Sequence, residues 1–450
     1  MKKSAAICLL FALLLSCFAG CSKSGGDAFV SAGASTGGDA SEKVTLTVFH
    51  QYNEELEALL ADGACMRAMI NQYKEDFPNV EVVEEGITDN WGQKLMTYSA
   101  AGDMPDVFQE IPGTTMSTIV KNGSALNLSE ALNAETLGMY KQDLMEDFTF
   151  DGVVYGLPYY LEYQTAVMYN KEMWKEAGCE DFPKTWDELL SYKAYFDQKG
   201  VNILALGDQA QWVFSYAYFV PILTEATSVD WMRKVGELSP DISFEDPGVI
   251  SALQTIQKIA PLFNSDWKSI VDTEATTQYL EEKASATING QWIFSQMESS
   301  ADDYPGMIEK SAYAMLPGTN DTCQYASGGI GCGFSVSADL AEEKGSAHYD
   351  AALNMLKYVT GKEYNTKMAE RGYLPVIENL TYDESRILPI YKDFFEGVKK
   401  ITTVKQFDKQ NWDGQITTTL SAVLQDVATE NMTPEDGAKE LQNVYESLLF

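Results

Sequence analysis

The sequence predicts an α/β fold, and three observations in its first 110 residues carry that prediction. Polar and apolar residues alternate over 43–54, which indicates a strand ending in a polar loop. A second strand is predicted over 80–86 (VEVVEEG), and a third begins within 105–110 (PDVFQE). Helical patterns separate these strands. Because strands joined by helices usually run parallel, we expect a parallel sheet flanked by helices.

The two helices of this unit follow from apolar spacing and from a proline. The first carries apolar residues from Leu56 to Phe77, and Pro78 ends it. The second is predicted in WGQKLMTYSAAG, after the second strand. Ligands of such sheets bind at the carboxyl ends of the strands. Those ends carry the polar residues His50, Tyr52, Asn53, Gln109 and Glu110.

Later elements are marked by turn and capping residues. Asp151-Gly152 lies between two β-like runs in FTFDGVVYGLP and predicts a hairpin. Thr185 and Glu188 have the spacing of a capping box that opens a helix. Residues 201–310 are predicted to be rich in helix, with short strands. Three further elements are predicted: a glycine-dense strand over 328–338, a helix in HYDAALNMLKYV, and a last helix that starts at Thr433-Pro434.

The composition is that of a large folded chain with a strong negative charge. Its 450 residues are 45% hydrophobic, enough for about two or three domains. The formal net charge is −34, which argues against nucleic acid or an anionic membrane surface as a direct partner. The charge does not identify a ligand.

The N-terminus has the features of an export signal. Lys2 and Lys3 precede an apolar run that is too short to span a membrane, and Ala19-Gly20-Cys21 follows. This exit resembles a bacterial lipobox, so we predict a signal peptide over 1–20 and lipidation of Cys21. Ordinary secretion is the alternative. Residues 21–42 are rich in Gly, Ser and Ala and are predicted to form a flexible tether.

The sequence does not have the residues that several kinds of metal, nucleotide-binding and disulfide-rich sites require. With only His50 and His348, no histidine-rich metal site can form, and no phosphate-loop motif is present. We therefore expect no cofactor and no metal. Four cysteines follow the tether, too few for a disulfide scaffold, and a bridge between Cys323 and Cys332 is left open.

The stretch ASATINGQWIFSQM places a tryptophan beside a turn. Asn289-Gly290 indicates a turn because both residue types tolerate a positive φ. We expect the Trp292 ring near the surface, where it either packs under a loop or offers a face to a ligand.

The ordered segments of the chain resemble one known family. The resembling segments are AAGDMPDVFQE (100–110), DGVVYGLPYYLEYQTAVMYNKEMWKEAGCEDFPKTWDEL (151–189), EEKASATINGQWIFSQM (281–297) and ERGYLPV (370–376). They resemble the extracellular solute-binding proteins of bacterial ABC importers, in the sugar-binding group that includes maltose-binding protein. The likeness spans roughly residues 43–450.

This resemblance implies two α/β lobes, each a mostly parallel sheet flanked by helices, with a cleft between them. Lobe 1 would hold residues 43–156 and 328–373, and lobe 2 would hold 157–327 and 374–450. The chain would cross the hinge near 155–158, 326–329 and 372–375. Glycines and prolines at these places suit a hinge.

The resemblance also implies a set of binding residues. Trp292 takes the place of the family's sugar-stacking tryptophan; packing against the core is the alternative. Further cleft candidates are aromatic or polar and comprise Tyr159, Tyr160, Trp212, Trp412, Asn53, Tyr52, Gln109, Glu110, Glu162, Arg371 and His50. An indole suits a sugar because its flat face covers the apolar C–H face of the ring.

The expected function is non-catalytic capture of a carbohydrate, an oligosaccharide in particular, and its delivery to a membrane permease. The protein would be a monomer on the outer face of the cell membrane of a Gram-positive bacterium, held only by its lipid. Two alternatives remain. One is import of a polyamine or another small cation, and the other is a surface glycosidase with two carboxylates across a cleft.

Overall fold

The computed structural model describes residues 43–88 and 90–449. The predicted signal peptide, the tether and Cys21 lie outside the described residues. The strands are β1 (Val44–His50), β2 (Val80–Gly86), β3 (Val107–Glu110), β4 (Thr149–Phe150), β5 (Val153–Val154), β6 (Gly156–Pro158), β7 (Leu161–Tyr163), β8 (Ala166–Asn170), β9 (Asn202–Ala205), β10 (Ala284–Asn289), β11 (Ser311–Ala314), β12 (Tyr325–Ile330), β13 (Gly333–Val336) and β14 (Thr402–Val404).

The helices are α1 (Glu54–Leu59), α2 (Ala61–Asp76), α3 (Trp91–Ala101), α4 (Thr114–Lys121), α5 (Leu128–Ala131), α6 (Ala134–Leu137), α7 (Gln142–Met145), α8 (Lys171–Glu176), α9 (Trp186–Ser191), α10 (Lys193–Lys199), α11 (Val220–Ala226), α12 (Val229–Gly236), α13 (Pro247–Ile259), α14 (Asp272–Leu280), α15 (Trp292–Ser299), α16 (Met307–Lys310), α17 (Ala347–Thr360), α18 (Lys362–Ala369), α19 (Pro389–Val398), α20 (Gly414–Ala428) and α21 (Pro434–Leu448). Short 3₁₀ turns lie at Glu146–Phe148, Ala260–Leu262, Ala338–Glu343, Glu384–Arg386 and Asp408–Gln410, and a π-helix at Phe214–Phe219. None of the described helices is both long and apolar enough to cross a membrane.

Lobe 1 is built on a five-stranded sheet in the order β2-β1-β3-β13-β6. The predicted parallel pairing is confirmed for β1 with β2 and for β1 with β3. Strand β13 returns from late in the chain and runs antiparallel to both β3 and β6. Helices α2, α17 and α18 pack together on this lobe. Their apolar faces enclose one core with the sheet.

Lobe 2 is built on a four-stranded sheet in the order β11-β8-β10-β9. Only β9 and β10 pair in parallel, while β8 runs antiparallel to β10 and β11. Both sheets are therefore mixed, with one strand in each, β13 in lobe 1 and β8 in lobe 2, running against the others. The reason is that strands from distant parts of the chain return to each sheet, and strand alternation alone does not show their direction.

A third, three-stranded sheet in the order β14-β12-β7 joins the lobes. Strand β7 leads from β6 of lobe 1 to β8 of lobe 2, and β12 leads back from β11 to β13. These two crossing strands pair antiparallel, with Glu162 opposite Gly329 and Leu161 opposite Ile330. The chain passes a third time from α18 to α19, which packs against β11. The two lobes thus share a short hinge of paired backbone.

Several local predictions are confirmed. The hairpin forms from β4 and β5, with φ of 51° at Asp151 and 78° at Gly152. Thr185 and Glu188 form the capping box of α9. Thr433 caps α21 with Pro434 in its first turn.

Two local features differ from the predictions, and the structure answers the open question of a bridge between Cys323 and Cys332. The first predicted helix is two helices, because Leu60 between α1 and α2 is extended (φ −111°, ψ 139°). The glycine-dense run is two strands, interrupted where Gly331 lies against the Tyr160 ring. All four described cysteines are free, and Cys323 and Cys332 are both buried.

Candidate functional site

Three predicted binding residues meet in one buried hydrogen-bond chain beside β1. The Gln109 amide nitrogen donates to the Tyr159 hydroxyl (2.5 Å), which lies 2.8 Å from the Tyr52 hydroxyl. Tyr52 donates in turn to Oδ2 of Asp62 (2.8 Å), so Tyr159 is the donor toward Tyr52. Gln109 Oε1 accepts from the backbone N–H of Gln51 (2.8 Å), which fixes the loop after β1. These side chains are buried and hold the loop in place.

Both ring nitrogens of His50 make hydrogen bonds within the protein. Its Nδ1 accepts from the backbone N–H of Tyr52 (3.3 Å), which leaves Nε2 as the donor toward Glu84 (3.3 Å). Glu84 also pairs with Arg67 and Lys74. Burial raises the pKa of Glu84. The hydrogen bonds from His50 and Lys74 and the charge of Arg67 outweigh burial and bring this pKa down to about 2. This network braces the end of β1.

Glu110 faces the core of lobe 1. Its Oε1 accepts from the Ser335 hydroxyl (3.4 Å), and its Oε2 is buried without a hydrogen-bond partner. The carboxyl fits between Gly156 and Gly333, where an added Cβ would lie 2.8 Å and 2.7 Å from Oε1. Burial raises the pKa of Glu110 to about 8. Its packing therefore favours a structural role as a neutral acid.

Glu162 lies in the hinge strand β7 and is saturated with donors. Its Oε1 accepts from the Lys409 ammonium (3.0 Å), the Gln406 amide (3.0 Å) and the Gln164 amide (3.2 Å). Its Oε2 accepts from the Tyr160 hydroxyl (3.0 Å). Four donors leave the carboxylate little capacity to bind a ligand hydroxyl, so its packing also favours a structural role.

Lys409 ties lobe 2 to the hinge. Besides Glu162, its ammonium donates to the backbone carbonyls of Ile330 and Gly331 on the second crossing segment. Next to it, the Asp408 carbonyl accepts from the Thr114 hydroxyl of lobe 1 (3.3 Å). Burial lowers the pKa of Lys409, but the charge of Glu162 outweighs burial and holds this pKa above its ordinary value. The Asp408–Gln410 turn thus fastens the two lobes at the hinge.

Two tryptophans meet in lobe 2. The rings of Trp212 and Trp292 lie 5.6 Å apart at 51°, and both are partly exposed. Trp292 donates from Nε1 to Oδ2 of Asp272 (3.1 Å), which also accepts from the Asn289 amide (3.3 Å). Burial raises the pKa of Asp272, and these two hydrogen bonds oppose the shift. The Trp292 ring is therefore held in a fixed orientation with part of its surface free.

The predicted reason for Asn289-Gly290 is wrong. Neither residue has a positive φ. Instead, a Cβ on Gly290 would lie 2.1 Å from the Trp292 ring, so the glycine leaves room for the indole to fold back over the chain.

The tryptophan pair lies close to the contact between the lobes. Trp292 is the first residue of α15, and α15 packs against α1 and α2 of lobe 1. In that contact the Ser295 hydroxyl accepts from the backbone N–H of Ala61 (3.4 Å). The start of α15 therefore lies near the place where the lobes meet.

Four further predicted residues belong neither to the hydrogen-bond chain beside β1 nor to the tryptophan pair. Asn53 is exposed and caps α1, accepting from the backbone N–H of Leu56 (2.9 Å). Arg371 is exposed at the surface. Tyr160 is buried against the Tyr159 ring (4.6 Å between centroids). Trp412 is buried in the lobe 2 core and donates to the Met232 carbonyl (2.9 Å), which favours packing over ligand stacking.

The sequence analysis missed three acidic or basic residues of this region: Asp62, Asp272 and Lys409. Asp62 had a usable signal. It shares a helical face with Met66, Met69 and Tyr73 at spacings of four, seven and eleven, so it places a carboxylate on an apolar stripe. Lys409 had no such signal, because its partner Glu162 is 247 residues away.

Comparison with known proteins identifies the family. Residues 68–385 match the bacterial extracellular solute-binding proteins. The chain is 21% identical to an uncharacterised ABC transporter extracellular-binding protein of Pyrococcus horikoshii, over 85% of this chain and 83% of that protein. It is 27% identical to the diacetylchitobiose-binding protein of Streptomyces coelicolor, over 64% of each chain. A solved structure of a chitin oligosaccharide-binding protein superimposes with a TM-score of 0.78 at 19% identity, covering 90% of this chain and 99% of that one.

These matches agree with the two sheets, the crossing strands and the lobe contact described above. The family binds solutes and does not catalyse a reaction. The protein is therefore a two-lobed, non-catalytic member of the bacterial extracellular solute-binding family.

Proposed function

We propose that the protein captures a carbohydrate between its lobes and delivers it to the permease of an ABC importer. The observation that carries this proposal is the Trp212–Trp292 pair, fixed by Asp272 beside the lobe contact. Partly exposed indoles on a rigid support give a sugar ring a flat apolar surface at low entropic cost. Two similar proteins named above bind chitin-derived oligosaccharides, which supports the same ligand class.

The rest of the site is assigned around this pair. We propose that Trp292 and Trp212 supply the apolar contact. The polar and aromatic residues at the ends of the lobe 1 strands and at the hinge contact the ligand or position the loops that do: His50, Tyr52, Asn53, Gln109, Tyr159, Tyr160 and Arg371. For Glu110, Glu162 and Trp412 we propose structural roles, which their packing supports.

The proposal includes the anchor and the lobe boundaries. Lipid on Cys21, with residues 21–42 as a tether, would hold a monomer at the outer face of the membrane of a Gram-positive bacterium. Lobe 1 comprises 43–156 with 328–373, and lobe 2 comprises 157–327 with 374–450. Separate cores under the two sheets support two lobes, and the residues next to two of the boundaries, 157–160 and 376–377, pack in the core of lobe 1.

Calorimetric titration with a panel of glycans tests the proposal. The panel contains chitin oligosaccharides, maltodextrins and xylo-oligosaccharides, with spermidine as the cationic competitor. We expect binding of one glycan class. Trp292→Ala should weaken it by roughly thirtyfold, the loss of about 2 kcal/mol expected for an aromatic anchor.

Trp174→Phe is the matched control, because Trp174 is buried in the lobe 2 core. It should lower stability and leave affinity unchanged in the folded fraction. Binding of spermidine but no glycan, or equal affinity of Trp292→Ala and the parent chain, would refute the carbohydrate assignment.

A further inference from the structure

Asp62 is a buried carboxylate with one unsatisfied oxygen. It is the second residue of α2 and is 6% exposed. Its Oδ2 accepts from the Tyr52 hydroxyl (2.8 Å), whereas its Oδ1 is buried with no hydrogen-bond partner among the described residues. A buried carboxylate oxygen without a donor strongly disfavours the charged form.

The carboxylate lies where the lobes meet. Its chain neighbour Ala61 donates to Ser295 on α15 of lobe 2, and α15 packs on α1 and α2. Tyr391 of α19, also in lobe 2, lies within electrostatic range of Asp62. The hydroxyls of Tyr373 and Tyr391 are buried, and both lie beside the Ser295 hydroxyl of α15. Separation of the lobes would therefore open this cluster to water.

No basic side chain in the part of the chain that the structure describes neutralises Asp62. Among the described residues, none of the lysines, arginines or histidines forms an ion pair with it, and Arg371, which acts on the neighbouring Cys65 and Tyr391, is exposed. The titratable groups that face Asp62 are the thiol of Cys65 on its own helix, the carboxylate of Glu162 in β7, and the phenols of Tyr52, Tyr159, Tyr160, Tyr364, Tyr373 and Tyr391.

The pKa of Asp62 follows from these surroundings. Burial raises the pKa to about 6, while the hydrogen bond from Tyr52 and the backbone N–H groups of Asp62 and Gly63 oppose the rise. The Glu162 charge adds a small upward contribution. Once water reaches Oδ1, the main cause disappears, and the pKa should return toward the ordinary value of about 4.

We propose that closure of the two lobes is coupled to the uptake of one proton by Asp62, so that the protein holds its ligand more tightly at mildly acidic pH. The tighter ligand binding rests on the proposed function, whereas the coupling of closure to the proton does not. A solvent proton bonds to Oδ1 as the lobes close, and the resulting hydroxyl can donate to a phenol oxygen of the cluster. Opening returns the proton to water.

The direction and size of the pH effect follow from the linkage between proton binding and lobe closure. The closed state has the higher pKa, so it binds the proton more tightly, and acidification favours closure. Each pKa unit corresponds to a factor of ten in the equilibrium. Between pH 7 and pH 5 the closing equilibrium, and with it ligand affinity, should rise by roughly tenfold.

Small-angle scattering of the ligand-free protein from pH 8 to pH 5 tests the coupling without any ligand. The radius of gyration of the parent chain should fall as the pH is lowered. Asp62→Asn, which mimics the neutral acid, should be compact throughout. Tyr52→Phe removes the hydrogen bond that lowers the pKa, so its transition should move to higher pH.

Asp208→Asn is the matched control. Burial also raises the pKa of Asp208 to about 6, but its partners Phe214 and Gln425 both belong to lobe 2. This variant should keep the pH dependence of the parent chain.

Two outcomes would overturn the proposal: a radius that is the same at all pH values in the parent chain, or an equal pH response in Asp62→Asn. Calorimetry at pH 5 with the glycan identified above should show uptake of close to one proton on binding, and at pH 7 it should show little, because Asp62 is then mostly ionised in both states. Absence of glycan binding with a pH-dependent radius would refute the proposed function and leave the proton coupling standing.

Discussion

Replacing Lys409 by methionine tests whether the buried ion pair fastens the hinge. Methionine fills similar volume but removes the charge and three donated hydrogen bonds, to Glu162, Ile330 and Gly331. Loss of one partner of a buried ion pair typically costs about 3–5 kcal/mol, because the other charge is left uncompensated.

The contacts around Lys409 change this expected loss of stability in both directions. Glu162 keeps three of its four donors, from Tyr160, Gln164 and Gln406, which lowers the cost. The two orphaned carbonyls raise it, by about 1–3 kcal/mol each if no water reaches them. We therefore expect a loss of about 3–5 kcal/mol in the free energy of unfolding, measured by urea denaturation monitored by circular dichroism.

A double-mutant cycle isolates the pair. Glu162→Gln should also destabilise the protein, and the double variant Lys409→Met, Glu162→Gln should lose less than the sum of the single losses. Lys405→Met is the matched control, since Lys405 pairs with Asp147 while being half exposed, and it should cost below about 1 kcal/mol. A loss below about 1 kcal/mol for Lys409→Met, or strict additivity in the cycle, would show that the reasoning is wrong.

Two further variants test the placement of predicted site residues. Burial raises the pKa of Glu110 from 4.5 to about 8, so the folded state retains a proton that the unfolded chain releases, and stability should fall by about 1.4 kcal/mol per pH unit from pH 4.5 to pH 8. Glu110→Gln should flatten that decline in denaturation curves, whereas an unchanged slope would mean that Glu110 is ionised in the fold. Trp412→Ala should cost about 3–5 kcal/mol of stability because the indole is 1% exposed in the lobe 2 core. Its folded fraction should keep the parent affinity for the glycan; a weakened affinity would restore Trp412 to the binding site.

Parts of both lobes could be predicted because their signals are local. The alternation in β1, the capping box of α9 and the Asp-Gly hairpin each depend on residues within a few positions of one another. Strand direction in the mixed sheets could not be predicted in the same way. The antiparallel strand β13 joins β3 across more than 220 residues, and no pattern inside either strand reports the pairing.

The roles of neighbouring strand side chains could not be told apart from the sequence either. Gln109 and Glu110 are neighbours in one strand, and successive side chains of a strand point to opposite faces. Both were predicted to face the ligand, but Gln109 reaches Tyr159 and the loop after β1, whereas Glu110 points into the core. Only one of two adjacent strand residues can face a given side, and the sequence alone does not show which of the two it is.

The close approach of Trp292 to Gly290 has a consequence for sequence variation. The indole occupies the space that a side chain at position 290 would need, so the two positions behave as a single unit of substitution. A larger residue at position 290 fits only after the Trp292 ring has moved or a smaller residue has replaced it. Conversely, a smaller residue at 292 frees position 290 to accept alanine or serine, so the pair can be exchanged only in that order.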